Sequence, residues 1–392
     1  MLIAEGAARL SRLITIITLA SYLSASDYGV AMLAIVCYEL LRVVTGLGSG
    51  AAIIQCSEEQ LSSTAGNVYF LNGSICLAIA VIQYLFAPLL ANFYQKPLLE
   101  PLLQIMAVSY VIYPIVTVRA CWVQRSNSMK YFALCSAMAV MTDNFSTALL
   151  VTLGFGIYAV AWATVLAALV WLALFLIAKV PPIKIRYCGK TILGLLVFSS
   201  KVLASDFLKN GRSHIDVLLA GKLLAPEIFG LYNFAKSAGV GLGQSLSNTY
   251  LSCIYPRKAS GQRDQKLAPE FRQMFIIGLG ISSIFIAQSL MGPIYIPLLF
   301  HNDWPNPPTL VTILCLSAIP CLLVDICGLK LRVQYQTNKD IIVQAAAVIS
   351  LMVSLYVFPP ATPLGFATCT VAVSFSWLLL LPTFLTSKAQ NH

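Results

Sequence analysis

Arg9, Arg12, Arg42, Lys201, Lys209, Arg212 and Lys236 sit inside otherwise apolar stretches long enough to be membrane spans, as do Glu5, Glu39, Asp143, Asp206, Asp216 and Asp325. Ionisable groups in hydrocarbon are costly, and they generally line a water-filled cavity or pair with one another. Glu5, Arg9 and Arg12 are four and then three residues apart, which places them on one helix face. Glu39 and Arg42 share a face in the next apolar stretch, and Lys201, Lys209, Arg212 and Asp216 fall along one side of a later one, with Asp206 nearby. Two readings compete. In one, Glu39–Arg42, Glu5–Arg9 and Arg212–Asp216 pair internally and hold helices together. In the other, the stripes line a cleft. Arg9, Arg12, Arg42, Lys201, Lys209 and Arg212 outnumber Glu5, Glu39, Asp206 and Asp216 by two, and surplus cation in a membrane cleft favours water and an anionic ligand. Asp143, beside Asn144, and Asp325 read either as coupling-ion sites or as satisfied polar contacts. Lys236, near the start of its span, reads as a snorkelling lysine. His214 lies off the stripe.

Other chemistry finds no support in the residues. There are only three histidines, His214, His301 and His392, and none stands near a catalytic cluster. There is no Walker-type phosphate loop, no DxD pair and no GxSxG nucleophile, so neither an enzyme nor a bound cofactor is expected. The eleven cysteines are scattered through apolar runs, without a CxxC, and read as small buried hydrophobes rather than disulfides or metal ligands.

The elements that must position the charges follow from composition. Of 392 residues 58% are hydrophobic and 10% charged, and the mean hydropathy is +0.82. A soluble domain carries about a quarter charged residues, so lipid must be the solvent here. A helix crosses a hydrocarbon core of about 30 Å with roughly 20 apolar residues. The alternation needed for a barrel is missing. Twelve spans are expected, at 2–23, 28–54, 66–92, 100–122, 131–153, 157–178, 191–220, 228–255, 271–299, 308–329, 341–358 and 362–385. The first has no small-residue cleavage site and reads as a span rather than a secretory leader.

A net charge of +10 would suit nucleic acid if it were concentrated. Here the bases fall in short loops, where they act as topology signals. With the N-terminus in the cytoplasm, the inside loops hold Arg119, Arg125 and Lys130, then Lys179, Lys184, Arg186 and Lys190. They go on to Arg257, Lys258, Arg263, Lys266 and Arg272, then Lys330, Arg332 and Lys339, with Lys388 on the tail. The outside loops hold Lys96 and Lys222. Both termini are therefore expected inside.

The chain also echoes itself about 200 residues on. Leu19-Ala20, Leu23, Ala25, Asp27 and Gly29 run parallel to Leu219-Ala220, Leu223, Ala225, Glu227 and Gly230, with one residue inserted. Arg9 and Arg12 then stand opposite Lys209 and Arg212. Ala87-Pro88-Leu89-Leu90 finds a second echo in Gly292-Pro293-Ile294-Tyr295. Two parallel six-helix lobes, 1–185 and 186–392, are expected around a central cavity, which is where such repeats place substrate. Pro88, Pro293 and Pro320 can kink helices and permit rocking.

Several stretches, in order and at consistent spacing, resemble the polysaccharide transporter (O-antigen flippase) family of the multidrug/oligosaccharidyl-lipid/polysaccharide exporter superfamily. They are ITLASYLSASDYGVAMLAIV at 16–35, GLGSGAAIIQ at 46–55, VQRSNSMKYFAL at 123–134, GFGIYAVAWATV at 154–165, HIDVLLAGKLLAPEIFGLYNFAK at 214–236, YPRKAS at 255–260 and PLLFHNDW at 297–304. The resemblance implies two six-helix lobes around a cavity of alternating access. It also implies transport of undecaprenyl-pyrophosphate-linked oligosaccharide across the bacterial cytoplasmic membrane. Expected partners are that substrate, membrane lipids, a polymerase and chain-length regulator, and H+ or Na+ as coupling ion, with no nucleic acid. Relatives usually have more residues before the position of Glu5 and some carry an extra helix pair after the twelfth span, so Met1 is expected to be a late start and the first helix short. On this view Arg9, Arg12, Lys209 and Arg212 contact the pyrophosphate, with Arg42 and Lys201 in support. The rivals are a cation or drug antiporter of the same superfamily, a membrane polymerase or acyltransferase, and an assembly partner without transport.

Overall fold

The described part of each expected span is mostly helical in the computed structural model, which describes residues 2–46, 53, 56, 58–126, 128–178, 180, 185, 187–261, 267–299, 307–334, 336–358, 360 and 362–380. The chain divides into two compact units, Met1–Asn210 and Gly211–His392.

The first unit contains α1 (Leu2–Tyr22), α2 (Ala25–Val44), α3 (Glu58–Tyr94), α4 (Leu99–Ala107), α5 (Ser109–Arg125), α6 (Met129–Leu150), α7 (Tyr158–Ile177) and the opening half of α8 (Gly189–Leu223). The second contains the rest of α8, then α9 (Pro226–Gly261), α10 (Leu267–Leu299), α11 (Pro307–Leu316), α12 (Ala318–Val333), α13 (Thr337–Val357) and α14 (Pro363–Ser376).

Local chemistry sets the boundaries. The Ser24 side chain accepts from the Asp27 backbone N–H and donates to the Asp27 carboxylate, opening α2. Thr45 closes α2 by donating its hydroxyl to the Arg42 carbonyl at 2.7 Å, so the helix ends well before the expected limit at 54. Conversely α3 begins at Glu58, eight residues before the expected span, because the acidic turn 58–60 joins the helix. The span expected at 308–329 is two helices meeting at Ser317. Pro320 lacks the N–H that would bond the Leu316 carbonyl, so the ladder must break there. Beyond α6, a short π turn at Val151–Phe155 carries Gly154 at φ +90°, a conformation that disfavours any side chain.

Among the described residues seven helical stretches are long and apolar enough to cross a membrane: Leu61–Tyr94, Leu99–Arg125, Met129–Phe155, Tyr158–Ile177, Gln273–Pro297, Pro308–Arg332 and Asn338–Val357. Missing from that set are α1, α2, α8, α9 and α14, and the first four of these carry all the charges singled out above except Asp143 and Asp325. Leu85, Leu89, Leu153, Ile177, Leu290 and Ile294 are exposed large apolar side chains, which suits a lipid surround. The Pro308–Arg332 stretch is 78% buried, against 28% for Leu61–Tyr94, so it forms the inner wall of its unit. There α9 comes close: a Cβ on Gly239 would stand 3.0 Å from Cys315 Sγ and 3.2 Å from the Val311 carbonyl.

The helix breaks of the first unit recur in the second. Leu23 donates its N–H to the Leu19 carbonyl and Tyr28 to that of Ser24; 201 residues on, Leu224 donates to Ala220 and Phe229 to Ala225. Ser126 donates to Trp122 and Ser128 to Val123; 208 residues on, Gln334 donates to Lys330 and Gln336 to Leu331. The offset at the first turn is thus 201, one more than the sequence echo suggests. One residue is about 100° on a helix. In this register Arg212 stands opposite Ser11, and Arg12 opposite Ser213.

Candidate functional site: two charge clusters

In the second unit four charges converge. Arg212 Nη2 donates to Asp325 Oδ1 at 2.7 Å, linking α8 to α12. Lys236 Nζ, on α9, donates to Asp216 Oδ1 at 2.6 Å, to Oδ2 at 2.8 Å and to the Ser213 carbonyl at 2.6 Å. The Tyr232 hydroxyl donates to the same Asp216 carboxylate. The Arg212 guanidinium also stacks over Trp377, 5.5 Å from the ring centroid. A small cleft of about 50 Å³ is lined by Arg212, Asp216, Lys236, Asp325, Thr370 and Trp377, among others.

This pairing differs from the one the spacing suggests. Arg212 pairs with Asp325, 113 residues away, rather than with Asp216 one turn along its own helix. Lys236 is an ion-pair partner and not a snorkelling lysine, because Asp216 on the neighbouring helix meets its ammonium inside the unit. Two bases and two acids cancel, so the expected cationic surplus is absent from this cluster. Unmet donor capacity remains. Arg212 is 2% exposed, and its Nε and Nη1 have no hydrogen-bond partner among the described residues. A buried donor left unmet is expensive.

In the first unit Arg12, Glu39, Arg42 and Asp143 form a looser group. Asp143 feels the charges of Arg42, Glu39 and Arg12, and Arg42 that of Glu39. Arg12 and Arg42 are exposed, Glu39 and Asp143 half-buried. Beneath Arg42 is a polar network that sequence reading missed. The Tyr38 hydroxyl lies 2.8 Å from Ser109 Oγ and 2.6 Å from the Tyr113 hydroxyl. Tyr110 donates towards the Tyr38 carbonyl and Gln83 Oε1, both at 3.0 Å. Gln83 in turn donates to the Leu103 carbonyl. The available signal was Ser109, Tyr110 and Tyr113 clustered in an otherwise apolar span. Nearby, Asn144 donates to Ser11 Oγ and accepts at its carbonyl from Thr15, joining α6 to α1.

Asp206 and Lys209 lie half-buried on α8, where Asn210 donates to the Asp206 carbonyl. Glu5, Arg9 and Lys201 lie on α1 and α8, but their side chains are outside the described set. So are the loop bases Lys179, Lys184, Arg186, Arg263, Lys266 and Lys388. Arg119 and Arg125, expected as topology signals, also bond backbone: Arg119 donates to Phe175, and Arg125 to Ile53 and Cys56. Among the described residues no group of His, Cys, Asp and Glu could hold a metal ion.

This arrangement of helices is similar to that of solved membrane transporters. A lipid II flippase MurJ in an inward closed conformation superposes with TM-score 0.76 at 16% identity, covering 98% of this chain and 87% of that one. An inward-facing multidrug resistance MATE family transporter of the MOP superfamily gives 0.70 at 13% identity, covering 96% and 94%. The protein is thus a multi-pass, all-helical membrane protein of that fold. It belongs to the polysaccharide biosynthesis protein family, whose model matches residues 18–306. Two curated relatives are the succinoglycan biosynthesis transport protein ExoT of Rhizobium meliloti (strain 1021) and the teichuronic acid biosynthesis protein TuaB of Bacillus subtilis (strain 168). ExoT is 21% identical over 78% of this chain and 62% of its own length. TuaB is 26% identical over 50% and 40%. The chain therefore spans less than two thirds of either.

Proposed function

We propose that this protein is a flippase that carries a polyprenyl-pyrophosphate-linked oligosaccharide across the bacterial cytoplasmic membrane by alternating access. Twelve spans form two parallel six-helix lobes about a central cavity, with both termini cytoplasmic. The observation that carries the reading is Arg212: buried, held in place by Asp325 and Trp377, and presenting unmet donors where a cleft opens. A phosphate oxygen accepts such donors well, and a guanidinium is the side chain best shaped to offer them. The recurring helix breaks support the two-lobe repeat. Membership of a polysaccharide biosynthesis family supports the glycan, and the names of ExoT and MurJ support transport and a lipid carrier.

Leaving a pyrophosphate unpaired in hydrocarbon would cost tens of kcal/mol in idealised terms. Hydrated clefts with fixed donors remove most of that cost while the lipid tail stays in the bilayer. Arg212 is the primary head-group contact, with Arg42 and Arg12 in the first unit and Arg9, Lys201 and Lys209 along the same path. Asp143 and Asp325 are the carboxylates through which H+ or Na+ would couple. An inside-negative potential already favours export of two negative charges by about 4–5 kcal/mol per 100 mV. A cationic drug would find donors rather than acceptors at Arg212, which disfavours the antiporter reading.

The test is deletion in the native host, complemented by wild type or Arg212→Gln at matched expression. Loss of surface glycan with intact repeat units accumulating in the cytoplasmic leaflet supports the flippase. Single unpolymerised repeats on the outer side would instead assign a polymerase or later-acting factor.

A further inference from the structure

Arg42 is exposed, yet everything directly beneath it is buried and hydrogen-bonded, and the protons can be counted through that network. Ser109 donates its only hydroxyl proton to the Met106 carbonyl at 2.7 Å, so towards Tyr38 its oxygen can only accept. Tyr38 therefore donates to Ser109. In the 2.6 Å contact between the two phenols, Tyr113 must then donate to Tyr38. With its proton spent, Tyr113 has only lone pairs left, and it turns them towards the charge of Arg42, whose guanidinium can only donate. The chain runs one way, from Tyr113 through Tyr38 and Ser109 to a backbone carbonyl, with the Arg42 guanidinium beside its open end. Its terminus is the helix break between α4 and α5, where Val108 and Val111 bond three residues back instead of four. Hydrogen bonds in series polarise one another and strengthen the whole.

Two further features fix the geometry. The Tyr38 ring stands 5.9 Å from the Arg42 guanidinium carbon. Tyr110 packs on Tyr38 at 5.2 Å and holds its backbone carbonyl. Tyr38 is 4% exposed and Tyr113 7%, so neither ring can serve as an open sugar platform. The second unit keeps the break but not the device. Ser317 donates to the Leu314 carbonyl at 2.7 Å, as Ser109 does to Met106. In the 201 and 208 registers, however, Tyr38 and Tyr113 are replaced by Gly239 and Cys321.

We propose that Tyr113 and Tyr38 are positioning residues that hold Arg42 as a second, pre-oriented anion contact, so that the two phenols set affinity for the pyrophosphate head. This rests on the head-group reading above. A long, exposed side chain ordinarily loses conformational freedom on binding. Here the tyrosines have ordered it in advance, and the benefit appears as tighter binding.

The experiment is a double-mutant cycle on the full chain in nanodiscs, with geranylgeranyl pyrophosphate as probe and its monophosphate as comparison. Arg42→Gln should raise the pyrophosphate Kd about twentyfold, Tyr113→Phe about tenfold and Tyr38→Phe about threefold, each variant keeping its ring or length. In the Arg42→Gln background, Tyr113→Phe should add nothing. Ser109→Ala, which removes the end of the chain, should raise Kd about twofold with the same dependence on Arg42, and it serves if a Phe variant folds poorly. The proposal is overturned if Tyr113→Phe has the same fold-effect with and without Arg42, or none in either. If Arg212→Gln weakens the probe and Arg42→Gln does not, the head-group reading stands and this one falls. Wild type that does not bind the probe overturns both.

Discussion

The two units share a backbone plan and use it for opposite electrostatics. Where the second unit places Arg212, Asp216, Lys236 and Asp325, the same register in the first gives Ser11, Thr15, Ile35 and Thr117. Where the first places Tyr38, Tyr113 and Asp143, the second gives Gly239, Cys321 and Leu351. One unit locks its charges in closed, buried pairs and leaves donors unmet. The other leaves a cation in the open and buries the neutral groups that hold it. The difference teaches that backbone repetition sets where helices break and approach, while chemistry is assigned separately to each half.

The largest expected effect breaks the comparison if it is absent. Asp325→Ala strands a buried guanidinium and should cost about 3–5 kcal/mol of stability. Asp143→Ala, beside exposed arginines, should cost about 1 kcal/mol or less. Thermal unfolding of the two variants in one detergent checks this, and equal losses would mean that the two clusters are not different in kind. Next, Arg212→Gln combined with Asp325→Asn removes both charges together and should recover most of that stability. Flipping in proteoliposomes should still fall at least tenfold, because the unmet donors are gone. Recovery of flipping with stability would reduce Arg212 to a structural strut. A smaller effect concerns the neutral counterpart of the ion pairs. Thr15→Val removes one buried hydrogen bond to the Asn144 carbonyl and should cost about 1 kcal/mol. The smallest is ionic. Raising salt from 50 to 500 mM should weaken the contribution of exposed Arg42 to pyrophosphate binding about two- to threefold and leave that of Arg212 nearly unchanged. Equal screening at both sites would show that they are equally wet.

Much of the helical plan was legible because period and hydropathy are local properties. Helix occupies most of the described part of each expected span, and the first repeat turn was missed by one residue. The limits of α2 and α3 were misplaced, since Gly46, Gly48 and Gly50 are hydropathically neutral and Glu58 carries charge, yet the hydroxyl of Thr45 ends one helix and the other starts at Glu58.

The site was legible by residue type and not by partner. Composition alone determined a lipid environment, the helices and the few charges worth watching, because each follows from the cost of a side chain in hydrocarbon. Only the tertiary structure decided that Arg212 closes on Asp325 and not on Asp216, that Lys236 joins the cluster, and that Tyr38 and Tyr113 stand beneath Arg42. Apart from Tyr38 and Arg42, four residues apart on α2, those pairings join helices 20 to 113 residues apart in the chain. Spacing along one helix reports only neighbours on that helix, whereas a buried charge takes whichever opposite charge the packing of helices brings within about 3 Å.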